Sequence, residues 1–275
     1  MSENMKKGIS DDLRQIGVVT KYELLKHVRS KRMIVFVAIA ALMFILVTVL
    51  SLAINGSLPD DKTEFMETYV GMVDLMLIIG VSLFCASTIA AEFEERTALL
   101  MFPRPIKKTS FFMGKVLACY IICGGVMLIY YTICIITSII NTGGLDLNVF
   151  GSIGMAMMFM LGAGGFALLM SSIFKRGAIA VIVTIASLLL ILQVVSALLE
   201  TFDIEPMFSI TYAGKDILNF LSGNVTTGFS FKISDEWTFT YKVFYPSHLK
   251  AFSIMAIWAT VTTTLSALIF RRKEF

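Results

Sequence analysis

Residues 33–59 read MIVFVAIAALMFILVTVLSLAINGSLP, and none of them is charged. A helix rises 1.5 Å per residue, so crossing a hydrocarbon core of about 30 Å takes about 20 mostly apolar residues. This stretch is long enough. Working outward from it, five more charge-free gaps follow: Asp74 to Glu92, Lys115 to Asp146, Asp146 to Lys175, Arg176 to Glu200 and Lys250 to Arg271. Apolar residues make up 57% of the 275 and charged residues 16%, against about a quarter charged in a soluble domain. The mean hydropathy of +0.82 agrees. Such a pattern excludes a soluble enzyme, a disordered chain and a nucleic-acid binder. It predicts an all-α membrane protein with spans at about 33–54, 69–90, 113–140, 150–173, 178–199 and 250–270. A β-barrel is excluded because barrel strands alternate apolar and polar residues, whereas these segments are apolar all round. Residues 1–32 read as a separate polar segment without a small-residue cleavage site, so the first span reads as a retained anchor. Residues 33–275 then form one six-span domain, with 200–249 as a long outer loop.

Basic residues predict the orientation, because Lys and Arg are retained on the cytoplasmic side. The segment before span one carries eight, from Lys6 to Arg32. The connection between spans two and three carries Arg96, Arg104, Lys107, Lys108 and Lys115. Lys175 and Arg176 follow span four, and Arg271, Arg272 and Lys273 follow span six. These are 18 of the 23 basic residues. The expectation is a multi-pass protein of the cell membrane with both termini in the cytoplasm. The excess of positive charge there also favours anionic membrane lipid as a partner.

Little in the spans points to chemistry on this chain. Asp74 alone approaches the hydrocarbon, about a turn into span two, where a charge usually marks function. His27 precedes span one and His248 stands at the outer entrance to span six. Neither a paired-His helix nor a serine with a His or Lys partner at depth is available for intramembrane proteolysis. No P-loop occurs. The broken helices and midplane ionisable groups of ion-coupled carriers are not evident. Cys85, Cys119, Cys123 and Cys134 fall inside spans two and three as small apolar residues. The expectation is no catalytic residue, no metal and no cofactor on this chain. Span four holds Gly151, Gly154, Gly162, Ala163, Gly164 and Gly165, small residues that let membrane helices approach closely within or between subunits. Met155, Met157, Met158 and Met160 on the same span read as flexible gap-fillers.

The most informative stretch outside the spans is 91–118, AEFEERTALLMFPRPIKKTSFFMGKVLA. Acidic residues follow directly after an apolar span, and a short apolar run is then stopped by Pro103 and Pro105. A single helix cannot pass through Pro-Arg-Pro. The chain therefore makes a short element near the membrane and turns before span three, offering carboxylates and an apolar knob to a soluble partner, or remains an ordinary solvated loop.

This stretch resembles the first cytoplasmic loop of permeases in the ABC exporter type 2 family, through Glu92, Thr97, Leu99, Leu100, Pro103, Arg104 and Lys115. The family's glycine is replaced by Arg96. The resemblance extends to an amphipathic N-terminal segment, six spans and a long outer loop between spans five and six. It implies a transmembrane permease subunit that works as a dimer with a second copy or a paralogue. It also implies two separate ATPase subunits that hold ATP and magnesium, with this loop as the coupling helix seated in a groove of each. Glu92, Glu94 and Glu95 would then make polar contacts with the ATPase, and Leu99, Leu100 and Phe102 would be the knob.

In the N-terminal segment, Ser10, Asp11 and Asp12 read as a helix start. Ile16, Val19, Tyr22, Leu25 and Val28 recur every third position, a stripe that drifts about 60° per step on a 3.6-residue helix. With Lys21, Lys26 and Arg29 interleaved, the pattern suits a helix at the headgroup level, like the family's connecting helix. In the outer loop, residues 207–221 read as a short helix at the membrane surface. Phe229, Phe231, Trp237, Phe239 and Tyr241 then alternate with polar residues as a β-hairpin turning at 234–236, a surface for an outer-side partner. Two readings from other classes stay open here: a non-transporting scaffold or sensor that recruits a partner through the hairpin, and an ATP-independent secondary carrier.

Overall fold

The computed structural model describes residues 2–94, 107–223, 229–234, 237–241 and 244–272, and side chains from residue 11 onward except at Asn55, Phe93 and the strand pair. Helix α1 (Ser2–Val28) is followed by α2 (Lys31–Asn55), α3 (Lys62–Val70), α4 (Val73–Glu94), α5 (Lys108–Thr142) and α6 (Val149–Ile173). Next come α7 (Gly177–Ile185), a π-helical segment (Ala186–Ile191), α8 (Leu192–Thr201), α9 (Ile210–Gly214), α10 (Asp216–Ser222) and α11 (His248–Arg272). Strands β1 (Phe229–Ser234) and β2 (Trp237–Tyr241) pair antiparallel, with Phe229 opposite Tyr241 and Phe231 opposite Phe239. Residues 235–236 between them lie outside the described residues.

Six helical stretches among the described residues are long and apolar enough to cross a membrane: Lys31–Ile54, Lys62–Glu92, Lys108–Thr142, Val149–Ile173, Gly177–Thr201 and His248–Arg272. This is an all-α, multi-pass membrane protein. An even number of spans puts both termini at one end of the bundle, here called proximal; the other end is distal. Each helix stop has a local cause. Gly56 and Gly143 adopt left-handed conformations, with φ of 73° and 71°, at the ends of α2 and α5, where a side chain would be strained. Asp61 caps α3 by accepting hydrogen bonds from the Thr63 and Glu64 amides at 3.1 and 3.3 Å.

Burial separates the spans into centre and periphery. Two thirds of span two and about half of spans three and four are buried, against 17% of spans one, five and six. Apolar side chains on the peripheral spans, such as Ile34, Ile182 and Ile257, face outward, as a lipid solvent permits. Most of the small residues of span four serve internal packing, though a Cβ on Gly154 would meet nothing within 4 Å. A Cβ on Gly164 would stand 2.4 Å from the Tyr120 ring, one on Gly165 2.4 Å from Thr262, and one on Gly162 2.7 Å from Ile210. Tyr120 also donates to the Leu161 carbonyl at 3.1 Å.

Three expectations need correction. Residues 209–221 do not lie on the surface, although Met207 and Phe208 before them are exposed: α9 and α10 insert along the distal half of α6. Ile210, Tyr212 and Ala213 are fully buried, the Ser152 hydroxyl donates to the Ile217 carbonyl at 2.8 Å, and Phe220 occupies the space a Cβ on Gly151 would need. Broken helices are also present. Span two is interrupted at Gly71–Met72 between α3 and α4, and span five carries its π-helical segment, a local widening found often at functional sites. Apolar composition hides such breaks, because neither needs a proline. The third concerns the start of α1, which begins at Ser2 and runs through the start expected at Ser10.

Candidate functional site

Helix α1 runs along the proximal part of α5, and glycine makes the contact close. A Cβ on Gly114 would stand 2.7 Å from Val19 and 3.1 Å from the Ile16 carbonyl. Thr20 donates to the Ile16 carbonyl at 2.8 Å and to the Gly114 carbonyl at 3.2 Å. The expected stripe is only half used. Ile16 and Val19 face α5, whereas Tyr22, Leu25 and Val28 are exposed. A step of three rotates off the contact line, and the packed face continues instead through Thr20, Glu23 and His27, spaced for one side of a helix. Helix α1 thus buries polar side chains and exposes apolar ones among its lysines and arginines, an arrangement suited to a helix at a membrane surface.

Glu23 and His27 belong to a buried ion network. Lys115, the eighth residue of α5 and 1% exposed, sits between Glu23 at 2.5 Å and Glu92 at 2.8 Å. Lys26, half exposed, reaches Glu92 at 3.6 Å, and the Lys115 ammonium lies 5.0 Å from the Phe111 ring centre. Glu23 comes from α1, Glu92 from the last turn of span two and Lys115 from the first turns of span three. In a low-dielectric site each carboxylate demands a partner, and this lysine supplies one for both. His27 extends the network, with Nε2 3.9 Å from Glu23 and 3.8 Å from the Cys119 sulfur. Beside it lies a cavity of about 210 Å³ lined by Lys26, His27, Ser30, Arg32 and Ser87 among others, in which Arg32 donates to the Ser87 hydroxyl.

The acidic residues after span two therefore have internal employment. Glu92 is buried and held by Lys115, which removes it from the surface expected to face a partner. Glu94 remains exposed, yet its Oε2 accepts the Gly177 amide at 3.0 Å, at the first turn of span five. Glu95, Arg96, Thr97, Leu99, Leu100, Phe102, Pro103 and Arg104 lie outside the described residues. The network thus closes around both ends of the 95–106 connection. Lys115 was in plain view as a lysine inside an apolar run; its partners were not, because Glu23 precedes it by 92 residues.

The distal end holds a second polar layer. Glu200, 2% exposed, accepts from Lys215, whose ammonium also stands 5.9 Å from the rings of Tyr212 and Tyr245. Asp216, fully buried, accepts from His248 Nδ1 at 3.0 Å and from Asn219 at 3.1 Å. Glu205 accepts from the Tyr212 hydroxyl at 2.5 Å and from Lys250 at 3.2 Å. The Tyr212 hydrogen bond holds the Glu205 carboxyl below its usual value of 4.5, against a smaller opposing effect of burial. Burial and the same carboxylate push the Tyr212 hydroxyl upward. Among the described residues no group of His, Cys, Asp or Glu is arranged to hold a metal ion, and all four cysteines are buried free thiols.

Residues 19–192 match the family described as ABC-2 family transporter protein. The chain belongs to the ABC-2 transporter family. The matched region starts within α1, at the residue that meets Gly114, and spans the whole ion network, the first four spans and most of the fifth. Comparison with curated proteins gave no match. Membership makes this ABC-2 protein a membrane permease component without catalytic activity of its own.

Proposed function

We propose that this chain is one of two permease subunits of an ATP-driven exporter of the plasma membrane, with both termini in the cytoplasm. The 91–111 connection docks on a separate ATPase subunit. Glu95 and Arg96 make polar contacts there, and Leu99, Leu100 and Phe102 enter its groove before Pro103 and Arg104 turn the chain back. Thr97 starts the short helical element. Glu92 and Glu94 act from inside, tying the near end of the connection to α1, span three and span five. Family membership supports the partner class, and the distribution of basic residues supports the orientation. The observation that carries the coupling role is the Glu23–Lys115–Glu92 network. A push on the 95–106 connection would reach three helices through one buried cation. The strand pair with Phe229, Phe231, Trp237, Phe239 and Tyr241 offers the outer-side surface for a partner or the second subunit.

The test is co-expression with the cognate ATPase, followed by Glu95→Lys combined with Leu100→Asp. The wild-type chain is expected to co-purify with the ATPase and to couple hydrolysis to transport. The double variant is expected to keep its fold, lose the ATPase and lose transport. Unchanged transport by the double variant overturns the assignment of the connection, and failure to recover any ATPase with the wild-type chain overturns the permease-subunit reading.

A further inference from the structure

Asp74 is a half-buried ionisable side chain in span two that the proximal network does not use. It follows the break in span two by two residues, and it lines a cavity of about 130 Å³ with Val70, Gly71, Gly214 and Lys215. The carboxylate is half-buried and takes the Leu75 amide on Oδ1 at 2.7 Å. Among the described residues no ion pair reaches it. Lys215, the cation nearest in the cavity wall, is committed to Glu200 and to two tyrosine rings.

Gly71, at the break, lines the same cavity and is itself exposed. The Leu75 amide turns to Asp74, so the Gly71 carbonyl receives no backbone N–H among the described residues, and the helical ladder resumes with the Met76 amide on Met72 at 3.1 Å. The Tyr69 carbonyl is taken by the Tyr130 hydroxyl at 2.8 Å. Opposite lies the second interruption, the Gly214–Lys215 junction between α9 and α10. A half-buried carboxylate without a counter-ion, a carbonyl outside the helical ladder and a cavity between two broken segments form a cation-binding arrangement, the kind in which an unwound carbonyl and an acid replace part of a hydration shell.

We propose that this cavity is a binding site for a compact monovalent cation, an alkali-metal ion or a small primary ammonium group, held by Asp74 and the Gly71 carbonyl. Bound there, the cation joins the break in span two to the inserted α9–α10 pair and stabilises the distal end in its packed form. The site requires neither ATP nor a partner, so it stands or falls separately from the permease reading.

The test uses the full chain in lipid nanodiscs at fixed ionic strength, with N-methylglucammonium chloride replaced stepwise by sodium, potassium or methylammonium chloride. Unfolding is followed by tryptophan fluorescence. A cation that binds only the folded chain raises Tm with the logarithm of its concentration. The expected result is such a rise in at least one arm and its loss in Asp74→Asn. The arm with the largest rise distinguishes an inorganic ion from an amine. No rise in any arm, or an equal rise in Asp74→Asn, overturns the proposal. Carbodiimide labelling of Asp74 in the wild-type chain, read by mass spectrometry, covers the case in which the variant does not fold. The effective cation at ten times its Kd is expected to slow labelling about tenfold, and labelling at the same rate overturns the site.

Discussion

At the proximal end one lysine, 1% exposed, holds carboxylates from two other helices. At the distal end Glu200, Asp216 and Glu205 have separate partners, Lys215, His248 and Lys250, whose side chains are 25%, 54% and 51% exposed. The first arrangement is a closed junction in which every charge depends on every other. The second is a set of parallel pairs, each partly wetted and screened, so that each can be lost alone. Charge at the proximal end therefore fixes geometry, whereas charge at the distal end trims it.

The sharpest way to break this contrast is Lys115→Met, which removes the buried cation that Glu23 and Glu92 share and leaves Glu92 the half-exposed Lys26 at 3.6 Å. Losing one partner of a buried ion pair costs about 3–5 kcal/mol, and a large fall in Tm and in folded yield is expected. The triple variant Glu23→Gln, Glu92→Gln, Lys115→Met removes all three charges and is expected to recover most of that loss, as neutral replacement of buried ion pairs generally does. A triple variant as unstable as the single one would count against a closed network. Lys215→Met probes the distal end in the same way. Glu200 loses its cation but has water within reach of its partner's site, so about 1–3 kcal/mol is expected, read as a smaller drop in Tm. If Lys215→Met matched Lys115→Met, the distinction between the two ends would fail.

The smallest expected effect is a pH dependence at Glu205. Its carboxyl is held below the usual 4.5 by the Tyr212 hydroxyl and Lys250. A depressed folded value means that the stabilisation is complete above the unfolded value and is lost as pH falls through the folded one. The Tm advantage of the wild-type chain over Glu205→Gln is thus expected to be constant above about pH 6 and to shrink below 4.5. A pH series of Tm for the two proteins checks it; an advantage that grows on acidification contradicts the assigned partners.

The number and class of the spans were legible because they rest on a local quantity, the distance between charges. Residues 33–59 suffice to read one span, and the limits in the structure depart from the expected ones by a few residues, most at Lys62, where span two starts earlier, and at Lys108, where span three does. What was not legible depends on neighbours distant in sequence. The stripe on α1 was read by counting apolar residues in steps of three, but Gly114 and Lys115 on α5 select Thr20, Glu23 and His27. The resemblance gives Glu92 a polar contact with the ATPase; its burial follows only once Lys115, 23 residues on, turns toward it. Ile210–Gly214 lacks charge and length alike, so nothing local separated an inserted helix from a surface one. Asp74 was visible as an oddity, but the break beside it was not, since Gly71 and Met72 interrupt the helix without a proline.

The Gly114–Lys115 contact also constrains how the chain is made. Helix α1 leaves the ribosome first, yet the surface it docks on does not exist until residue 115 follows, 92 residues after Glu23. At 5–20 residues per second that delay is roughly 5–20 s. Span two and span three, by contrast, emerge with Glu92 and Lys115 only 23 residues apart, so this hairpin brings its own counter-ion into the bilayer. The proximal end is therefore assembled backwards relative to synthesis: the helical hairpin enters first as a neutral pair, and the segment translated earliest closes over it last.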